Sequence, residues 1–251
     1  MALVIIPAML YAEPVAVKYS EGSVHGFLVL RTTEGKIIAS GDLTQFVHGD
    51  LVKSRLVFHF KDGSIDDETC TFSQKGNFHL LTDHHVQKGP SYAKAVDFSI
   101  DTSEGTVTVR YRDNDKERVE KRHMDLPPDL ANGVFINVIK NIVPDGKETK
   151  LSWVATTPKP RLVKLSVRSQ GEDNFSISGA PYKASLFDVK IEIGGILGII
   201  APLVGKQPSD IKVWVCEGEA PAFVKSEGPM DFGGPAWSIQ LASPSWPDSS
   251  R

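Results

Sequence analysis

The sequence predicts a mainly β protein, a large curved antiparallel sheet (half-barrel or barrel) packed around one main helix. Three observations predict it. Apolar and polar residues alternate with period two in one segment after another, as half-buried strands require. Turn residues separate those segments at short intervals. A single stretch, 128–142, carries apolar residues at helical spacing.

The chain has 251 residues, 41% of them hydrophobic and 24% charged, within the range of one β domain able to bury its own core. The formal net charge of −3 argues against a nucleic-acid binder, which shows a basic stripe. Residues 1–14 open on "MALVIIPAMLYAEP", an apolar run ended by Glu13-Pro14. It resembles a truncated signal peptide, with a small residue, Ala12, at the cut, although no basic residue precedes the run. A buried strand, "ALVII", is the other reading. The export reading predicts a periplasmic or secreted protein. The run is too short to span a bilayer, which takes about 20 residues.

A single domain is expected over 15–245, with 246–251 a loose tail. In its first half, "AVDFSID" aligns Val96, Phe98 and Ile100, and "TVTVRYR" aligns Val107, Val109 and Tyr111. "TEGK" at 33–36, "HGD" at 48–50, "KDGS" at 61–64, "QKGN" at 74–77, "SEG" at 103–105 and "RDND" at 112–115 supply the turns. Strands joined so tightly are antiparallel neighbours, with no room for crossover helices before residue 125. "LPPDLANGVFINVIKNIVPDG" then predicts the helix. Pro127-Pro128 suit its first turn, Leu130, Val134, Phe135, Val138, Ile139 and Ile142 form its apolar face, and Pro144 and Gly146 stop it. Strands resume at about 149–156, 161–169, 182–193, 211–217, 221–227 and 235–242.

The chemistry-bearing motifs are few. "GGILGIIAPLVGKQPSD", 194–210, is too short for a membrane span. It also lacks the glycine at 200 and the hydroxyl after Lys206 that a phosphate loop needs. It is either a plug in the core or a lid over a cavity. As a lid, Ile196, Leu197, Ile199, Ile200, Leu203 and Val204 would contact an apolar ligand, together with Phe135 of the helix and Trp214. No cofactor motif and no metal-type cysteine pair occurs. "TDHHVQK" offers one polar row: on a strand, His79, Asp83 and His85 would share a face, with His59 nearby. Its alternatives are acid–base or metal chemistry and a merely solvated face. The two cysteines, Cys70 and Cys216, either pair or stay free. Cys70 shares a face with Phe72, which suits a buried thiol.

The early hairpins over 24–60, the "LPPDLANGVF" entry and the closing "DIKVWV…APAFVK…GGPAWSIQL" meander resemble exported bacterial β-proteins of unknown function. These are similar in layout to the lipoprotein-carrier half-barrels of the cell envelope. The resemblance covers about 15–243 and implies a curved sheet wrapping a helix, with a concavity able to hold acyl chains. It carries over no functional residue. The expected function is therefore non-enzymatic binding of an apolar or lipid-like ligand, or of a partner, in a concave sheet face. The alternatives are a hydrolase or isomerase using His and Asp in the cavity, and a structural envelope module. No cofactor, metal, nucleic acid or membrane span enters any of these.

Overall fold

A computed structural model describes residues 14–113, 116–177, 180–192, 210–218, 220–231 and 233–242. The strands are β1 (Val24–Thr32), β2 (Ile37–His48), β3 (Leu51–Phe60), β4 (Ile65–Ser73), β5 (His79–Lys88), β6 (Val96–Asp101), β7 (Thr106–Asp113) and β8 (Lys116–His123). After the short helix α1 (Phe135–Ile139) come β9 (Thr149–Ala155), β10 (Arg161–Ile177), β11 (Ala180–Glu192), β12 (Ile211–Cys216), β13 (Ala222–Pro229) and β14 (Ala236–Leu241). They form one antiparallel sheet of 14 strands in the order β8 to β1, then β14 to β9. Each strand neighbours its sequence neighbour, except where β1 meets β14, Leu30 opposite Ile239. The sheet is open, with β8 at one end and β9 at the other.

The period-two pattern dictates which face is buried. Phe98 and Ile100 of β6, Val107 and Val109 of β7, and Phe72 of β4 point inward from one wing. Leu151, Leu165, Val167, Phe187, Val189 and Val213 point inward from the other. Both wings contribute to a single core cluster, so the sheet bends until its wings share one interior. A smaller cluster, built on Leu28, Leu30, Phe58, Phe60, Tyr92 and Trp237, lies beside the β1–β14 seam.

The helix expected over 128–142 is not formed: α1 covers Phe135–Ile139 alone, so the sheet is not packed around a main helix. The apolar spacing still reports burial, because Leu130, Val134, Val138 and Ile139 all enter the core. Their backbone does other work. The Ala131 amide donates to the Ser152 carbonyl and the Ser152 amide to that of Asp129. Asn132 accepts from the Val154 amide through Oδ1 at 2.8 Å and donates to the Val154 carbonyl through Nδ2 at 3.0 Å. The segment thus covers the open edge of β9, satisfying groups that would otherwise be buried unpaired. Gly133 follows with φ +65°, a conformation that ends any helical run through it.

Candidate functional site

The inner face of β2–β6 is ruled into rows by the strand register. One row runs Gly41, Phe58, Asp66, Gln87 and is buried throughout. Another runs Gln45, Ser54, Cys70, Asp83, Ile100 and is buried too. Between them runs Leu43, Leu56, Glu68, His85, then Phe98, and its first four members are only half-buried. Some solvent exposure therefore remains along the middle of the inner face, between buried rows. The side chains of His85 and Glu68 keep 20% and 26% of their exposure there.

The polar groups of these rows are coupled. His85 Nε2 donates to Asp66 Oδ1 at 3.0 Å. Asp66 Oδ2 accepts from Gln87 Nε2 and from the Tyr92 hydroxyl, both at 2.8 Å. Gln87 Nε2 also donates to the carbonyl of Met230, tying the cluster to the opposite wing. On its other side, His85 Nδ1 lies 3.9 Å from Glu68 Oε1. Asp83, 2% exposed, has no hydrogen-bond partner on either carboxylate oxygen. The Cys70 thiol donates to the carbonyl of Gly133 at 3.1 Å.

Electrostatics separate the three carboxyls. Burial opposes the charge on Asp66, but the His85 cation and the three hydrogen bonds overcome it, holding Asp66 below its ordinary range. Burial raises Glu68, and the Asp66 charge adds to it. Burial also pushes Asp83 well above the ordinary carboxylate range, with the Glu68 charge second. Burial would neutralise His85, yet Asp66, Glu68 and Asp83 together raise it to about 10. The cluster thus holds an ion pair beside two carboxyls with reason to stay protonated, a division that suits proton transfer. Burial, Glu68 and Asp83 hold Cys70 as a neutral thiol, unsuited to nucleophilic attack. Among the described residues, no group of three or more His, Cys, Asp or Glu could hold a metal ion.

The expected His79–Asp83–His85 row is broken. A register shift between Thr71 and Phe72 puts Thr82 opposite one and Leu80 opposite the other, leaving Leu81 as the extra residue of a bulge. His79 is thereby turned out to solvent, while Asp83 and His85 point inward. His59 also faces out. Asp66, Glu68, Gln87 and Tyr92 were not anticipated. The signal for two of them was present: in "IDDETCTF", Asp66 and Glu68 share the parity of Cys70 and Phe72.

Of the expected ligand contacts, Ile196, Leu197, Ile199, Ile200, Leu203 and Val204 lie outside the described residues. Phe135 begins α1 and meets Trp153 edge-on at 5.9 Å, against the larger core. Trp214 faces away from the core residues Val213 and Val215. Its Nε1 donates to Asp173 Oδ2 at 2.9 Å, and Lys225 Nζ sits 4.6 Å from its ring centre. The structure does not bring Phe135 and Trp214 together. Both cysteines are free. A shallow groove of about 600 Å³ on the outer face is lined mainly by hydroxyl and charged side chains, including Thr69, Thr82, His84, Ser99, Thr108 and Lys121.

These features define a mainly β protein built on one open antiparallel sheet, with a polar cluster set into its inner face. No protein-family model matches the sequence, and no curated protein matches it either. A crystal structure of a beta-barrel-like protein of a domain of unknown function (DUF1849) from Brucella abortus is similar, with a TM-score of 0.45 and 10% identity. The likeness covers 88% of this chain and 98% of that one. The described residues contain no helix long and apolar enough to cross a membrane.

Proposed function

We propose that the protein binds an apolar or lipid-like molecule on its inner face, with a polar group of that molecule at Glu68 and His85. One observation carries the reading: a half-buried row, Leu43–Leu56–Glu68–His85, lies between two rows that are buried throughout. Leu43 and Leu56 give this row apolar surface, and Glu68 and His85 are the convergent polar groups that fix orientation in a small-molecule site. Phe223, Met230 and Ile239, also half-buried and packed on the smaller cluster, supply further apolar surface. The test is solvent extraction of purified protein with mass spectrometry of the extract, alongside titration with anilinonaphthalene sulfonate. A co-purifying apolar compound is expected. So is saturable probe fluorescence that Leu56→Lys reduces at least tenfold in affinity. An empty extract together with no probe uptake would sink the proposal and favour a structural module.

The His85–Asp66 hydrogen bond favours a second reading, acid–base catalysis by a hydrolase or isomerase. A screen of ester, amide and enolisable carbonyl substrates tests it. Turnover that His85→Gln abolishes supports it, and none in the native protein removes it. The apolar start at 1–14 supports an exported location. Cell fractionation with and without those residues checks this, and a cytoplasmic native protein would refute it.

A further inference from the structure

The two ends of the sheet are treated differently. The edge of β9 is covered by residues 129–132. Among the described residues β8 pairs with β7 alone, and its outer edge carries no backbone partner. Every residue of β8 is exposed except Glu120, which is partly so, and Val119 keeps 57% of its exposure. Open edges invite strand addition, and proteins commonly block them with charge. "KERVEKRH" is heavily charged, but its signs are arranged in an unusual way.

Consider a second copy of the strand laid antiparallel against the first. An edge strand turns its N–H and C=O outward only at alternate residues. Both copies must present these groups at the same places, so a residue, not a gap between residues, lies on the twofold axis. The registers on Val119 and Glu120 are the most central that satisfy this, and those on Arg118 and Lys121 come next. An axis on Lys121 opposes that lysine to itself and sets Val119 against His123. An axis on Arg118 opposes that arginine to itself and sets Glu117 against Val119. An axis on Glu120 opposes that glutamate to itself and Arg118 to Arg122. An axis on Val119 sets Glu117 against Lys121 and Arg118 against Glu120, each twice by symmetry, with the two Val119 side chains meeting at the centre. Only Lys116 and Arg122, at the ends, are then like-charged.

The faces agree as well. Arg118, Glu120 and Arg122 oppose the inward positions Tyr111, Val109 and Val107 of β7, while Glu117, Val119 and Lys121 oppose the outward positions. The Val119 register matches inner with inner and outer with outer. Opposite charges directly across a sheet favour pairing, and like charges oppose it.

We propose that β8 is a homodimerisation edge, on which two copies of this chain pair antiparallel about a twofold axis at Val119. The contact joins two sheets into one and leaves the half-buried row free, so it stands independently of the proposed ligand. One strand pair is small beside the roughly 1,200–2,000 Å² of a stable interface, so the dimer is concentration-dependent. Its charge pairs make it weaker at high salt.

Sedimentation velocity across a dilution series tests this on the full chain. The native protein is expected to shift from monomer to dimer as concentration rises. Glu117→Lys with Glu120→Lys removes every acidic residue from the edge, and Arg118→Glu with Lys121→Glu makes each charged residue over 117–121 acidic. Each double variant is expected to dimerise at least tenfold more weakly, and an equimolar mixture to restore association. Glu117, Arg118 and Lys121 are exposed and Glu120 partly so, and circular dichroism checks that both variants fold. In a Cys216→Ser background, Val119→Cys is expected to cross-link to itself on oxidation and Lys121→Cys is not. A native protein monomeric at every concentration overturns the proposal. So does a dimer unaffected by the charge reversals, or cross-linking at Lys121→Cys without cross-linking at Val119→Cys.

Discussion

His85 sets the pH behaviour of the inner face. Its ordinary value of 6.5 is raised to about 10 in the fold because Asp66, Glu68 and Asp83 surround it. A raised folded value means that the folded state holds a proton the unfolded chain releases. The stability this gives is fully present below 6.5 and is lost as pH rises through about 10. Urea midpoints of the native protein should therefore fall across that window, and His85→Gln should flatten the fall. Asp66 gives the opposite limb: its depressed value stabilises the fold above the ordinary 3.8, and that stability disappears in acid. Asp83, raised by burial, behaves in the sense of His85 from lower pH. Asp83→Asn should remove the decline that begins above 3.8, the ordinary value of an unfolded aspartate. Gly133 closes the cluster from above. A Cβ there would lie 2.6 Å from the Cys70 Cβ and 3.0 Å from Asp83 Oδ1, at a φ of +65°. Gly133→Ala combines overpacking with backbone strain and should cost about 2–3 kcal/mol in urea denaturation.

At the scale of elements, strands were legible and exceptions to them were not. Period-two alternation and turn residues place "AVDFSID" and "TVTVRYR" on strands with their buried faces assigned, because a half-buried strand needs little besides that alternation. The bulge at Leu81 could not be read, since one extra residue leaves no mark in composition yet reverses every face beyond it. That single residue separates the inward Asp83 and His85 from His79. The 128–142 segment misled for a related reason. Its apolar spacing reflects burial on one side, and a chain of turns laid along β9 buries one side as a helix does. Asn132 decides between them by imitating a strand with its amide. Asn132→Ala would leave the N–H and C=O of Val154 buried and unpaired, at about 2–4 kcal/mol for two such groups. Hydrogen exchange should show the Val154 amide losing protection first, with protection in β2–β4 unchanged.

Across the whole molecule, two meanders, β1–β8 and β9–β14, are closed by one distant pairing. Neighbouring strands elsewhere are joined by a few residues, except β11 and β12, between which residues 193–210 run in the sequence, whereas Leu28 opposite Leu241 spans nearly the whole chain. Loop-closure entropy is smallest for the hairpins, so local pairing is expected to come first and the β1–β14 seam late. Mutations in the two regions should then act on different rates. Leu30, fully buried at the seam, and Phe58, fully buried on β3, both belong to the smaller cluster. Leu30→Ala should cost about 2–5 kcal/mol and Phe58→Leu less, each by leaving a cavity. If the seam forms after the folding transition state, Leu30→Ala accelerates unfolding and leaves refolding unchanged. Phe58→Leu, set in a hairpin already formed by then, slows refolding instead. Stopped-flow chevrons of the two variants decide the order, and a refolding rate that falls with Leu30→Ala alone would place the seam first. A late seam has a functional consequence. Gln87 ties the polar cluster to Met230 across the two meanders, so the cluster would be completed only when β1 and β14 meet.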